Sequence, residues 1–479
     1  MSVAKRFFSQ SLNAHKWLGL LVGALMYLIC LSGTLAVYFE ELERWEQPHA
    51  EEYLDYDPRV LDEAFNRFLI EQNELVTPHM YLTLPTDVVP RAGISTEQQG
   101  WYLNKDGSTG SSTAHPFTDL ITDLHIYLHL PEAWGVIVVS ALGAMLLGLI
   151  ISGLCSHRTI VKDAFKFRIF GSKQLEQTDL HNRLSVWGAP FHIMIAITGA
   201  YFGLAMIVLV AYSQLFNDGD VNDLTKQVFG SEPELNLPVN GIAIGSMLEQ
   251  MPELAPGTKP LFVIVHDAGT PKQFAEVFTQ YPNRLIYSDN FVFSPSGEFL
   301  SSRNFSEGDF SKQVVYSMYR LHFGHFGGWG VKVLYALLGL ALTVISVSGI
   351  NIWLAKRKHV DSLNFIWPGF VWGAPMGIAV AGISRFAFGY IENWIFWATI
   401  VACCSYGLVV KNESKVSMTL KAALFISILG LLAAYFSYAQ ESFNNASSLN
   451  VTYVLVTSLV AAIAFKVAKG RLNSNSIVS

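Results

Sequence analysis

His125 and His129 stand four residues apart in LHIYLHL (124–130), and His322 and His325 three apart in LHFGHFGG (321–328), each pair just ahead of a long apolar run that opens on Trp-Gly. His15 and His181 occupy matching places at the starts of two further apolar runs. Two neutral imidazoles offered by facing helices are what a six-coordinate haem iron requires: each Nε2 supplies an axial bond and the apolar bundle accepts the macrocycle. His15 with His181 reads as one such pair, although either alone is an ordinary interfacial anchor. His125, His129, His322 and His325 make the same argument at the opposite side. At spacings of four and three, each of these pairs is expected on one helix face, so one member ligates and the other hydrogen-bonds a propionate or a substrate. The rival use of all four is a mononuclear zinc or copper site; the lack of an acidic residue inside either cluster favours haem.

Two other histidines carry weaker signals. His192 lies about 16 Å beyond His181 at helical rise, deep in an apolar run where ionisable groups are costly and functional by default. It is expected as a ligand or relay, or else as a core histidine. His157, beside Arg158, is a further candidate or a plain interface residue. His49, His79, His115 and His266 fall in loops with no partner pattern and are assigned no role.

Such ligands need rigid helices in an apolar medium, and the composition provides it. Half of the chain (51%) is hydrophobic and only 15% is charged, against about 25% charged in soluble proteins. A hydrocarbon core of about 30 Å takes about 20 apolar residues to cross. Runs of that kind occur at 17–39, 134–155, 187–212 and 329–353. The tail adds runs at about 370–388, 391–410, 420–438 and 453–465, the first interrupted by Pro375 and Arg385, for about eight spans in total. The first run is too long, and lacks the small-residue cleavage site, for a removable signal peptide.

Lys5, Arg6 and Lys16 precede the first run, Arg158, Lys162, Lys166, Arg168 and Lys173 follow the second, and Lys356, Arg357 and Lys358 follow the fourth. Basic residues mark the cytoplasmic side, so both termini are expected there, with the acidic loops 41–130 and 215–328 outside. Cys30, Cys155, Cys403 and Cys404 all lie in or beside apolar runs, which assigns them to packing. The net charge of −6 gives no reason to expect a nucleic-acid partner.

The chain also repeats. HKWLGLLVGALMYLICLSG (15–33) and HNRLSVWGAPFHIMIAITG (181–199) both open on His and close on a small hydroxyl residue plus Gly. The second and fourth runs likewise go from Trp-Gly to Ser-Gly, 134–153 and 329–349. The unit is helix, external domain, helix, used twice in parallel orientation. Each loop holds an amphipathic stretch (57–69; 239–251) followed by alternating strand-like runs with Gly, Asn and Asp turns, which predicts two small α+β domains. The expected order is therefore a first span within 1–40, an external domain at 41–130, two spans with a basic loop at 131–214, a second external domain at 215–328, a fourth span at 329–358 and a helical tail at 359–479.

Taken together, HKWLGL and its LSG, DLHIYL, SHRTIVKDAFKFR, DLHNRLSVWGAPFHIMIAITGAYFGL, LHFGHFGG and SVSGINIWL resemble the PepSY-associated transmembrane family, the iron-regulated membrane proteins that include bacterial inner-membrane ferrisiderophore reductases. The resemblance covers about residues 10–358. It implies an integral membrane, mostly α-helical fold with a four-helix core binding b-type haem, two PepSY-like external domains, and electron transfer from the cytoplasmic side to a ferric chelate outside. By that resemblance the matching histidines, implied axial ligands of two haem b groups, are His15 and His181 inside and His125 with His322 or His325 outside. The implied partners are membrane lipid, ferric siderophore or ferric iron, and an electron donor that is a quinol or a cytoplasmic reductase, since no flavin or nicotinamide fingerprint is present. The alternative is a non-enzymatic, membrane-anchored PepSY module that binds or regulates a peptidase or another protein.

Overall fold

The computed structural model describes residues 3–156, 159–165, 172–282, 284–440, Ser442, 451–452 and 455–456. In chain order the elements are α1 (Val3–Ala36), α2 (Phe39–Glu46), α3 (Pro58–Glu71), β1 (Met80–Thr83), β2 (Ala92–Ser95), β3 (Gly100–Leu103), β4 (Thr109–Ser112), α4 (Pro116–Ile126), α5 (Glu132–Leu154), α6 (Ile160–Asp163), α7 (Lys173–Trp187) and α8 (Ala189–Phe216). They continue with α9 (Val221–Phe229), α10 (Ile244–Leu254), β5 (Lys259–His266), β6 (Phe274–Gln280), β7 (Asp289–Phe293), β8 (Phe299–Ser302), α11 (Phe310–Phe323), α12 (Gly328–Lys356), α13 (Ser362–Phe388), α14 (Asn393–Val410) and α15 (Glu413–Ala439). Seven of the described helices, α1, α5, α8, α12, α13, α14 and α15, are long and apolar enough to cross a membrane. The eighth expected span, 453–465, and His157 lie outside the described residues, apart from positions 455–456.

Two compact units divide the chain: residues 1–37, 50–114 and 123–355 form one, and 38–49, 115–122 and 356–479 the other. In the first unit the segments between the spans do not close as two separate domains. Their strands join one antiparallel sheet in the order β4-β3-β2-β1-β5-β6-β7-β8. Each set of four strands would leave a hydrogen-bonding edge at β1 or β5; pairing Met80 with Val265 and Thr83 with Phe262 removes both edges. Helix α3 begins at Pro58, with the Asp57 carboxylate accepting from Arg59 N at 2.9 Å. It buries Leu61, Ala64, Phe65 and Phe68, one stripe at helical spacing. Helix α10 buries Met247, Leu248 and Met251 into the same core as Leu82, Ile94, Val263, Val277 and Phe293. Asn66 ties the halves, its Oδ1 accepting from Ile242 N and its Nδ2 donating to Ile242 O, both at 2.8 Å.

The spans of the first unit pack through small residues, as helices in lipid require. A Cβ on Gly143 of α5 would lie 2.9 Å from the Ala200 backbone of α8, and one on Gly203 would lie 2.6 Å from Val136 O.

In the second unit α13 runs unbroken through Pro368, Pro375 and Arg385, against the expected interruption. Gly369, Gly373 and Gly377 of α13 lie against α14 at Cys403, Ile400 and Phe396. Arg385 is satisfied by the fully buried Glu46 of α2, Nε to Oε1 at 3.0 Å. The same carboxylate accepts from the first backbone N–H groups of α4, Phe117 and Thr118, at 2.9 Å each. Trp45 stacks on Tyr435 at 4.0 Å, and Tyr435 Oη donates to Trp45 O at 2.9 Å. The tail is thus the packing partner of α2 and of the start of α4.

Candidate functional site

Helix α1 carries His15 and helix α7 carries His181, and their ring centroids lie 6.1 Å apart. His125 in the last turn of α4 and His322 in the last turn of α11 also stand 6.1 Å apart. Two imidazole nitrogens held about 2.0–2.1 Å from one metal on opposite sides would place collinear ring centroids about 6.3 Å apart. Both pairs therefore stand at a spacing that would let the two imidazoles share one metal ion.

The other ring nitrogen is what fixes each imidazole. His15 Nδ1 meets Leu149 O at 2.9 Å and Ser152 Oγ at 3.4 Å. His181 Nδ1 meets Ile345 O at 3.2 Å and Ser348 Oγ at 3.0 Å. His125 Nδ1 meets Ile29 O at 3.0 Å, and His322 Nδ1 meets Thr198 Oγ1 at 2.8 Å. A carbonyl only accepts, so Nδ1 of His15, His125 and His181 is the protonated nitrogen and Nε2 keeps its lone pair. Thr198 Oγ1 donates within its own helix to Met194 O at 2.8 Å, which leaves it to accept from His322. Among the described residues, Nε2 makes no hydrogen bond in any of the four.

These partners account for the hydroxyl-Gly endings of the repeat. Ser32-Gly33, Ser152-Gly153, Thr198-Gly199 and Ser348-Gly349 each sit beside one histidine: a Cβ on Gly33 would come 2.5 Å from His125 Cε1, on Gly153 3.1 Å from His15, on Gly199 3.3 Å from His322 and on Gly349 3.4 Å from His181. Three of the four hydroxyls reach the ring; Ser32 Oγ turns to Leu28 O at 2.8 Å instead. The three carbonyls that meet a histidine, those of Ile29, Leu149 and Ile345, lie three residues before Ser32, Ser152 and Ser348 and four before the glycine. The repeat was visible in the sequence; that its closing residues grip the histidines of a neighbouring element was not.

His15 and Ile29, the contact of His125, both belong to α1 and are 14 residues apart, which at 1.5 Å per residue separates the two layers by about 21 Å along that helix.

The remaining candidates fall elsewhere. His125 and His129 do not share a helix face: α4 ends at Ile126, and Leu128 and His129 turn with φ of 56° and 55°. Likewise α11 ends at Phe323, capped by left-handed Gly324, and His325 lies beyond it, its carbonyl accepting from Arg320 Nη2 at 2.8 Å. Left-handed residues close both helices between the members of each pair, so the i, i+4 and i, i+3 geometry is lost. Among the described residues no three His, Cys, Asp or Glu side chains gather as a metal-binding group. His192 is 1% exposed; its Nε2 faces Leu338 O at 3.4 Å, and its ring lies over Gly188, where a Cβ would be 2.3 Å from Cε1.

The fold and the site define a multi-pass membrane protein whose first four spans and adjoining helices present two facing pairs of oriented imidazoles. The PepSY-associated TM region model matches residues 12–356, and the chain belongs to that family. It is also similar to the uncharacterized protein PA4219 of Pseudomonas aeruginosa, 23% identical over 256 residues, an alignment that covers 50% of this chain and 64% of that protein. The chain therefore matches less than two thirds of that relative's length.

Proposed function

We propose that this protein is a transmembrane electron conduit that holds one haem b between His15 and His181 and a second between His125 and His322, and reduces ferric iron or a ferric siderophore outside the bacterial inner membrane. The observation that carries the reading is the pair of 6.1 Å imidazole spacings, each with Nδ1 held by a backbone carbonyl or hydroxyl. Bound haem would supply a one-electron carrier at each layer. The chain's own part is to present Nε2 of each imidazole, hold the Nδ1 proton so that the ligand stays neutral, and keep water away with the apolar faces of the spans. Glycine leaves room for the neighbouring imidazole, most tightly at Gly33, where a Cβ would come 2.5 Å from His125.

Haem held by His15 and His181 and by His125 and His322 would supply one-electron carriers between a quinol or cytoplasmic reductase and ferric iron outside. Reduction weakens an oxygen-donor chelate, because the ferrous ion carries less charge and is softer than those donors prefer. The electron donor and the chelate are separate molecules in this reading.

The purified chain, reduced with dithionite, should show a b-type visible spectrum and two haems by pyridine haemochrome. A folded, colourless preparation rejects the conduit and leaves the second reading, a membrane-anchored module that binds a peptidase or another protein. In that reading the sheet-bearing segment, which has a cleft of about 780 Å³ lined by Asn66, Ile70, Asn240 and Gln273 among others, would meet the partner.

A further inference from the structure

His79 and His266 come from different halves of the repeat and meet only because β1 pairs with β5. Extending the registers Met80↔Val265 and Tyr81↔Ser95 past the ends of β1 sets His79 between His266 and Glu97. The two imidazole centroids are 5.2 Å apart with ring planes at 86°. This is a different spacing from that of the two pairs among the spans. Two imidazoles bound about 2.0–2.1 Å from one tetrahedral ion would have centroids about 5.2 Å apart.

The surroundings suit such an ion. His79 Nδ1 is 2.8 Å from Glu97 Oε1, the carboxylate–imidazole arrangement that orients a metal-bound histidine and leaves Nε2 as the donor. His266 Nε2 is buried and, among the described residues, makes no hydrogen bond. Phe274 stacks on the His266 ring at 4.4 Å and 8°, which fixes its plane. Glu276 Oε2 lies 3.9 Å from His266 Nε2, farther than the about 3.3 Å between two ligands of one tetrahedral ion, so as the side chains stand the two imidazoles are the protein's ligands. Arg303 engages Oε1 of Glu276 and Asn290 Nδ2 donates to Oε2 at 3.4 Å.

We infer that His79 and His266, with water completing the shell, form a binding site for a divalent transition-metal ion of borderline softness, the class of Zn(II), Cu(II) and Fe(II). Two imidazole nitrogens select this class over Ca(II) or Mg(II), which take oxygen donors in larger number. Ferrous iron, the product of the proposed reduction, belongs to it, but the site stands on its own residues and not on the haem reading.

The test is Zn(II) binding to the purified full-length chain by calorimetry and metal analysis, compared with His79→Ala, His266→Ala and Glu97→Gln. All three variants keep the four histidines of the spans, so any zinc bound there is common to the set. One equivalent should be lost in each alanine variant, and Glu97→Gln should weaken the same equivalent about 10- to 100-fold. Equal zinc stoichiometry and affinity in the wild type and all three variants overturns the site. If an alanine variant does not fold, protection of the wild-type His79 and His266 from diethylpyrocarbonate by Zn(II), mapped by mass spectrometry, reads the same contact. Modification unaffected by zinc overturns it equally.

Discussion

Thr198 Oγ1 stands 2.8 Å from His322 Nδ1, and it is the only hydrogen bond that this imidazole makes among the described residues. His181 is held twice, by Ile345 O and by Ser348 Oγ. The difference gives a graded prediction. Thr198→Val keeps the side chain's shape but leaves the His322 N–H unsatisfied, at a cost of about 1–3 kcal/mol, and it makes the ligand less basic. On the proposed haem reading, affinity at the His125–His322 layer should fall about 10- to 100-fold and the reduction potential there should rise. Ser348→Ala should lose less, because the carbonyl remains. Haem titration with spectropotentiometry of both variants checks the order; equal losses would remove the argument.

Glycine supplies a second graded test. A methyl group on Gly33 would sit 2.5 Å from Cε1 and 2.8 Å from Nδ1 of His125, whose ring is also tied to Ile29 O. One on Gly349 would sit 3.4 Å from His181, at ordinary contact. Gly33→Ala should therefore destabilise by about 1–3 kcal/mol through overpacking and displace His125, whereas Gly349→Ala should be close to neutral. Thermal unfolding in detergent and the haem content of the two variants are the measurements.

The four principal histidines were legible in the sequence because each sits at a repeated place beside an apolar run. Their pairing follows from the repeat. What holds them was not legible: Nδ1 partners such as Leu149 O and Ile345 O are backbone atoms that any apolar residue would offer. The i, i+4 reading of His125 and His129 failed because nothing in LHIYLHL announces a helix end, yet Leu128 and His129 both take positive φ. The two loops read as separate domains because alternation marks strands but not which edges meet, and the β1–β5 pairing joins residues nearly two hundred positions apart. His79 and His266 were assigned no role for that same reason.

Glu43 of α2 makes the protein's stability depend on pH. Burial, reinforced by Asp119, Glu40 and Glu46, pushes its carboxyl up to about 8. In the unfolded chain it titrates near the ordinary value of 4.5. Between these values the unfolded state has released a proton that the folded state keeps, so the stability present below about pH 4.5 is lost progressively as pH rises, and the loss levels off above about pH 8. Glu43→Gln is neutral in both states and escapes this loss. The variant should melt close to wild type at acidic pH and increasingly above it up to about pH 8. A parallel pair of melting curves across the range would expose Glu43 as an ordinary surface carboxylate.

His192 is the residue where sequence and structure pull in different directions. Its depth in an apolar run argues for a ligand or relay, because an imidazole there needs a partner. The hydroxyl nearest in sequence, Thr198, is committed to His322. The ring folds back over Gly188, four residues earlier, and turns Nε2 toward Leu338 O at 3.4 Å, while its aromatic neighbour is Phe191 at 5.9 Å rather than another histidine. A nitrogen directed at a carbonyl is the donor with its proton in place, which leaves the lone pair on Nδ1, but among the described residues no second histidine ring pairs with it to complete a set of ligands. His192→Leu should therefore keep two haems per chain and lose about 1 kcal/mol or less of stability, the net worth of one long hydrogen bond. Electron arrival at the His125–His322 layer, followed by stopped-flow spectroscopy, should match wild type within about twofold if the ring only packs, a window that corresponds to about 0.4 kcal/mol in the barrier. The loss of one haem would restore His192 as a ligand, and slowed arrival at full haem load would restore it as the relay.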